Sequence, residues 1–206
     1  GWAAASANRY IIEDDYDSEF RLTGKPIPSL QSMDITQKVI YINTFTKSLS
    51  STMRISYMVL PPELANRFLE QLSFYSCTVS NFEQYALMRF INEGYFEKHI
   101  NRMRNFYHKQ RDILLDAIKR SPLSSHVTIM EEDSGLHFLL KLKMELSDKE
   151  FMQRALQKGV KLNSLSAYYH DSPDDFAAHT FIINYSYLNT EHLAEAINVL
   201  YDCIKK

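Results

Sequence analysis

The stretch from Thr44 to Arg54 constrains this chain more than any other. It reads Thr-Phe-Thr-Lys-Ser-Leu-Ser-Ser-Thr-Met-Arg. Two apolar, β-rich runs bracket it, Val39-Ile40-Tyr41-Ile42 before and Ile55-Ser56-Tyr57-Met58-Val59-Leu60 after. Runs of that length and composition predict two largely buried strands. A loop between buried strands is a costly place for Lys47 and Arg54 unless an anion meets them. A lysine beside a second cation and apolar walls also has its amine pushed toward the neutral, nucleophilic form. Lys47 is therefore a candidate Schiff-base lysine, with Thr44, Thr46 and Arg54 as a candidate phosphate cradle. A lysine in an ordinary surface loop is the competing reading on chemistry alone.

Composition narrows the class. With 206 residues, 45% hydrophobic and 23% charged, the chain has the make-up of a globular protein of one to one and a half domains. A net charge of −2 gives no electrostatic grip on nucleic acid or on an anionic membrane. No apolar run approaches membrane-spanning length, and the start lacks a basic-then-apolar leader. Cys77 and Cys203 lie far apart without metal-ligand spacing and are expected as free, buried or half-buried thiols. The expectation is a cytoplasmic α/β or α+β protein.

A strand is predicted at Arg9 to Ile12, and Glu13-Asp14-Asp15-Tyr16-Asp17-Ser18-Glu19-Phe20 follows at once. Such an acidic run is usually a solvated loop. This one sits at the end of an apolar strand, where open α/β sheets place ligands. Alternation puts Ile12, Asp14 and Tyr16 on one face. A carboxylate there suits a protonated ring nitrogen, and a tyrosine hydroxyl suits a phenolate. Residues Leu22 to Gln37, with Gly24, Pro26 and Pro28, read as an irregular excursion. Helices are expected from Pro62 to about Phe74, from Phe82 to Asn92 with Ser80 as cap and Gly94 as stop, and from Tyr95 to Lys119. The basic side of the last (Lys98, Arg102, Arg104, Lys109, Arg111) reads as a solvated face.

From Pro122 onward the texture is α+β. Val127 to Met130 and His137 to Leu142 predict antiparallel strands joined through Glu131 to Gly135. Ser147 and Glu150 form a capping box for a helix to Lys158, closed by Gly159. Val160 to Leu162 and Phe181 to Tyr185 read as strands, with an irregular Asn163 to His170 and a polar loop at Pro173 between them. Asn189-Thr190-Glu191 is expected to cap a last helix reaching Ile204.

The acidic motif Ile11 to Arg21, the lysine motif Thr44 to Ser50 and Arg54 together resemble the effector domain of MocR-type regulators, in the GntR family of bacterial transcription factors. The likeness continues at Gln84, Phe90-Ile91, Gly94 to Ile100, Arg102-Met103-Arg104, Tyr107, Arg111, Gly135-Leu136-His137, Leu165-Ser166 and Tyr168-Tyr169, so it covers nearly the whole chain. It implies a fold similar to fold type I aminotransferases (the PLP-dependent transferase-like α/β fold). Residues 1–104 would be the C-terminal part of the large domain with the start of the long helix, and residues 105–206 the small α+β domain. The winged-helix DNA-binding domain, the linker and the first half of the large domain would lie outside this chain. With them would go the glycine-rich phosphate contacts, the aromatic residue that stacks on the ring and much of a homodimer interface. The isolated segment is then expected to hold cofactor weakly or not at all.

The resemblance also assigns roles. Lys47 would form the internal aldimine with pyridoxal 5′-phosphate. Asp14 would pair with the pyridine nitrogen, Asp15 being the alternative, and Tyr16 would bond the ring's 3′ oxygen. Arg54 would hold the phosphate with Thr44 and Thr46. A small amine or amino acid, or the cofactor itself, would be the signal, and DNA would be met only through the absent domain. The alternative is an aminotransferase acting on an amino acid. Aminotransferases of this fold usually hold the substrate carboxylate with an arginine in the last small-domain strand, whereas no arginine follows Arg154 here. Lys161 lacks the bidentate fork. Asn184, Tyr168 and His170 are candidates for an effector pocket or for plain strand and loop positions, and His137 reads as a core histidine.

Overall fold

The computed structural model describes residues 1–22, 27–131, 133, 135–170 and 175–205. The predicted features at Gly24, Pro26 and Pro173, and part of the connection between Glu131 and Gly135, lie outside them. The chain divides into two compact units, residues 1–19 with 24–102, and residues 20–23 with 103–206.

The first unit carries a three-stranded sheet in the order β1-β2-β3. Strand β1 (Ile11–Asp14) runs parallel to β2 (Val39–Thr44), with Ile11 opposite Val39 and Asp14 opposite Ile42. Strand β3 (Ser56–Val59) is antiparallel to β2, with Thr44 opposite Ser56. The acidic run thus begins inside β1 rather than after it. Ahead of β2 lies a short helix, α1 (Leu30–Met33), capped by Ser29. A second single-turn helix, α2 (Phe45–Ser48), follows β2 directly and contains Lys47. Neither was predicted, because one-turn helices leave no periodicity to read.

Helices α3 (Pro62–Leu72) and α4 (Asn81–Asn92) come next. Ser80 caps α4 by accepting the Glu83 amide, as expected, and Gly94 takes φ +74° after its end. The long helix α5 (Tyr95–Arg120) then runs from the first unit into the second.

The expectation that the strands flanking Lys47 are largely buried is corrected. Only Val39 and Asn43 of β2 are buried, and every residue of β3 is exposed. Among the described residues the faces of this thin sheet are mostly uncovered, so Ile12, Tyr57, Met58 and Val59 meet solvent. Cys77 is likewise exposed rather than half-buried, while Cys203 is buried, and both are free.

The second unit holds a four-stranded antiparallel sheet in the order β4-β5-β7-β6, made of β4 (Val127–Met130), β5 (His137–Leu142), β6 (Asn163–Ser164) and β7 (Thr180–Asn184). Helices α6 (Asp148–Gln157) and α7 (Leu193–Ile204) pack on one another beside it. Phe138, Phe151, Phe181 and Tyr185 are wholly buried. Phe151 and Phe181 meet at 5.1 Å between ring centroids, and the Tyr185 hydroxyl donates to the Gly135 carbonyl at 2.7 Å. The capping box of Ser147 and Glu150 is present.

Strand β7 is shifted by one residue from the expected Phe181 to Tyr185, and two boundaries differ by more. The strand predicted at Val160 to Leu162 begins only at Asn163, since the Val160 amide is used on the Ala155 carbonyl to close α6. The last helix starts at Leu193, because Asn189 spends its side chain on a turn, accepting the Glu191 amide at 3.0 Å. Among the described residues no helix is long and apolar enough to cross a membrane.

Candidate functional site

The register of the first sheet brings the two sequence motifs to one edge. Parallel pairing of β1 and β2 puts Asp14 and Thr44 at the same, carboxyl, end of neighbouring strands. That end is where open α/β sheets receive ligands. Helix α2 begins there, and antiparallel pairing returns the chain so that Arg54 lies two residues before Ser56, opposite Thr44. Asp14, Lys47 and Arg54 therefore share this edge with Thr44 and Thr46.

The loop is closed by its own hydroxyls. Thr44 caps α2, its Oγ1 accepting the Thr46 amide at 3.2 Å and lying 3.2 Å from the Ile55 carbonyl. The Thr46 hydroxyl donates to the Met53 carbonyl at 3.0 Å and sits 3.0 Å from that of Thr44. The Phe45 amide donates to the Ile55 carbonyl at 2.9 Å. Thr44 and Thr46 thus hold the lysine turn against the start of β3, and their hydroxyls are engaged before any phosphate arrives.

The acidic run is bonded along most of its length rather than solvated. Both Glu13 carboxylate oxygens accept backbone amides at the start of α1, from Leu30 at 2.7 Å and Gln31 at 2.9 Å. Asp15 Oδ2 accepts the Tyr41 hydroxyl at 2.8 Å and the Ser18 hydroxyl at 2.9 Å. Asn43, buried to 3% exposure, donates from Nδ2 to Tyr41 Oη at 2.9 Å and to Glu19 Oε1 at 3.4 Å, and its Oδ1 accepts the Thr44 amide. Burial pushes the Glu19 carboxyl and the Tyr41 phenol above their ordinary values.

Asp14, Lys47 and Arg54 stand apart from this network. All three are exposed, and no hydrogen-bond or ion-pair partner is recorded for them among the described residues. Asp15, the alternative acid, is committed to Tyr41 and Ser18, which favours Asp14 as the acid left for a ligand. Tyr16 is 42% exposed and has an interaction of its own. Lys47 is not set among apolar walls here, so the desolvation argument for its reactivity does not apply to this chain by itself. Beside it the Ser48 hydroxyl is buried, at 1% exposure, without a recorded partner among the described residues.

One unpaired acid, one primary amine and one guanidinium on a single sheet edge form a donor set that fits a ring cation, a carbonyl carbon and a phosphate. The sequence reasoning missed Tyr41, Asn43 and Glu19, which build the edge. The signal was there for Asn43: alternation puts Val39, Tyr41 and Asn43 on one face of β2, and a buried amide there needs partners.

The remaining candidates lie in the second unit. His137 faces Asn184 across the β5–β7 ladder. Asn184 Oδ1 accepts the amide and hydroxyl of Ser186, at 2.8 and 2.7 Å, so its side chain closes a turn. Tyr168 and His170 are exposed. Among the described residues no cluster of side chains could hold a metal ion.

No family model matches the chain. It is 47% identical to the HTH-type transcriptional regulator YdeL of Bacillus subtilis over 172 residues, 84% of this chain and 37% of that protein. It is 36% identical over 191 residues to MocR of Rhizobium meliloti, named for regulation of rhizopine catabolism, covering 93% of this chain and 38% of that one. This chain is a MocR-type, aminotransferase-like domain. Its fold matches the crystal structure of Pyrococcus horikoshii kynurenine aminotransferase with a TM-score of 0.79 at 29% identity, over 98% of this chain and 49% of that one. The architecture is thus that of fold type I, PLP-dependent aminotransferases. The MocR-type domain spans under two-fifths of the length of those regulators and about half of the aminotransferase.

Proposed function

We propose that this MocR-type domain is the pyridoxal 5′-phosphate-binding, effector-sensing part of a GntR/MocR-family regulator. The observation that carries the reading is the edge where Asp14, Lys47 and Arg54 stand without recorded partners while the groups around them are bonded. Asp14 would pair with the protonated ring nitrogen and Tyr16 with the ring's 3′ oxygen. Arg54 would grip the phosphate as a charge-assisted fork, and the hydroxyls of Thr44 and Thr46 would join it by turning from the Ile55 and Met53 carbonyls to which they now donate. When bound, the cofactor supplies an electrophilic carbon that primary amines attack. Lys47 would hold it covalently in the resting state. A small amine or amino acid, or the cofactor itself, would act as the signal.

Signalling needs only that the ligand prefer one arrangement of the protein over another. The DNA contact would be made by a helix-turn-helix domain of the kind the relatives are named for, in a cytoplasmic homodimer. The alternative, an aminotransferase, is supported by the fold likeness. Against it stand the higher identity to regulators and the absence of an arginine from β7, whose residues are Thr-Phe-Ile-Ile-Asn.

The test uses the full-length protein. Addition of pyridoxal 5′-phosphate should give a yellow absorption band, and borohydride reduction followed by peptide mapping should place the label on Lys47. Lys47→Ala should abolish the band and the label. Label spread over surface lysines would refute the site. Incubation with amino acids should yield no keto product; stoichiometric turnover would favour the aminotransferase.

A further inference from the structure

The hydrogen bonds around Asn43 reach further than its own burial requires. One side chain joins three elements of the first unit. Its Nδ2 donates to Tyr41 Oη at 2.9 Å and to Glu19 Oε1 at 3.4 Å, and its Oδ1 accepts the amide of Thr44, the residue that caps the lysine-bearing helix α2. Tyr41 passes the connection on, donating to Asp15 at 2.8 Å, and Ser18 donates to the same Asp15 oxygen at 2.9 Å. The acidic arm is therefore gripped at Asp15 and at Glu19, on either side of Tyr16, and Asp14 adjoins the first grip. The other end of the same network fixes the first peptide of the turn that carries Lys47.

We propose that Asn43 is a positioning residue that clamps the acidic arm to the lysine turn. It would hold Asp14 and Tyr16 in fixed register with Lys47. The inference rests on the cofactor reading of this site and deepens it. The physical case is one of completeness. A buried amide with its oxygen and both donor directions engaged has one orientation available, and a chain of such bonds stiffens its members. Main-chain pairing alone sets Asp14 against Ile42. One further backbone bond, from the Asp15 amide to the Ile42 carbonyl at 2.9 Å, carries that pairing to residue 15, and beyond it Tyr41 and Asn43 tie the arm to β2 through side chains, at Asp15 and at Glu19.

The experiment replaces a donor by an acceptor of the same shape. In the full-length protein, Asn43→Asp keeps an oxygen for the Thr44 amide and loses the donation to Tyr41 and Glu19. Pyridoxal 5′-phosphate should bind about tenfold more weakly. In the ligand-free protein, amide hydrogen exchange should quicken at both residues 13–19 and 44–48. Adding Glu19→Gln returns a donor from the arm side, and the double variant should recover both affinity and exchange protection.

A merely structural role for Asn43 would lower the melting temperature and leave affinity and the distant arm unchanged. That result overturns the clamp, as does a double variant that regains melting temperature without affinity. Should Asn43→Asp fail to fold, Tyr41→Phe removes a single hydroxyl. It must quicken exchange at residues 13–19, and unchanged exchange there also overturns the proposal. If the unaltered protein takes no label at Lys47, the cofactor reading falls, and the exchange measurements still decide the clamp.

Discussion

The second unit buries Phe138, Phe151 and Phe181 completely, whereas the sheet of the first leaves Ile12, Tyr57, Met58 and Val59 in solvent. What the first unit has in place of a thick core is a set of side-chain hydrogen bonds at the ends of its strands. Glu13 bonds the start of α1, Asp15 bonds Tyr41, Asn43 bonds Glu19 and Thr44, and Thr46 bonds Met53. Apolar burial is non-directional and tolerates small shifts, while hydrogen bonds to fixed partners set positions within tenths of an ångström. The unit that carries the candidate site is thus placed mainly by polar geometry, and the other is stabilised mainly by packing. The consequence is that a given substitution should have quite different effects in the two.

The largest separation is expected from truncating apolar residues. Phe151→Ala opens a cavity in the second unit and should cost about 3–5 kcal/mol in urea unfolding. Met58→Ala in β3 removes a side chain already 47% exposed and should cost no more than about 0.5 kcal/mol. Equal costs would mean that the first unit's sheet is covered in solution and that the contrast is false.

Legibility in the sequence follows the same division. In the second unit β4 and β5 were predicted to the residue, and the capping box of α6 was read from Ser147 and Glu150, because periodicity and caps are local signals. Strand β6 was misplaced, since a Val160 amide used to close a helix looks in sequence like the start of a strand. In the first unit both motifs were found from residue type, and the register of β1 and β2 brings them to one edge. The burial of the flanking strands was misjudged: apolar composition reports what a strand is suited to bury, not what covers it. Of the network through Tyr41 and Asn43, alternation signals only that the Asn43 amide needs partners; which partners was illegible, because the bonds join residues up to 26 apart through hydroxyl and amide groups that carry no pattern.

An intermediate effect tests whether the second unit also relies on a polar hub. Asp148, at the start of α6, accepts the hydroxyls of Ser164 and Ser166 at 2.8 and 2.9 Å, and its other oxygen accepts the His179 amide at 3.0 Å. It joins α6, β6 and the approach to β7 in the way that Asn43 joins the elements of the first unit. Asp148→Ala should cost about 2 kcal/mol in urea unfolding, since the lost bonds run to a largely buried carboxylate. That is less than the loss at Phe151, as it must be if packing dominates there. A greater loss than at Phe151 would place the second unit, too, among structures held by polar geometry.

The smallest effect concerns how each unit starts an element with a carboxylate. Glu150 accepts the Ser147 hydroxyl and amide at the head of α6, and these bonds lower its carboxyl below the ordinary value. In the first unit Asp34 does the same ahead of β2. It takes the Thr36 hydroxyl at 2.7 Å and the amides of Thr36, Lys38 and Val39 at 2.8, 2.6 and 2.8 Å. The Thr36 hydroxyl is the largest cause of a carboxyl held down at about 2, against 3.8 when free. A carboxyl lowered by folding stabilises the fold fully above its free value, and that contribution disappears as pH falls through the folded value. Amide exchange at Lys38 and Val39, corrected for intrinsic rates, should therefore be flat above pH about 4 and lose protection between about 4 and 2. Asp34→Asn should lower protection throughout and remove that step. Glu150→Gln should leave the step at Lys38 and Val39 untouched, because its bonds lie in the other unit. A step that moves with Glu150 would mean that the two units titrate as one cooperative structure, and the division into a polar-placed and a packing-held part would then describe construction without describing stability.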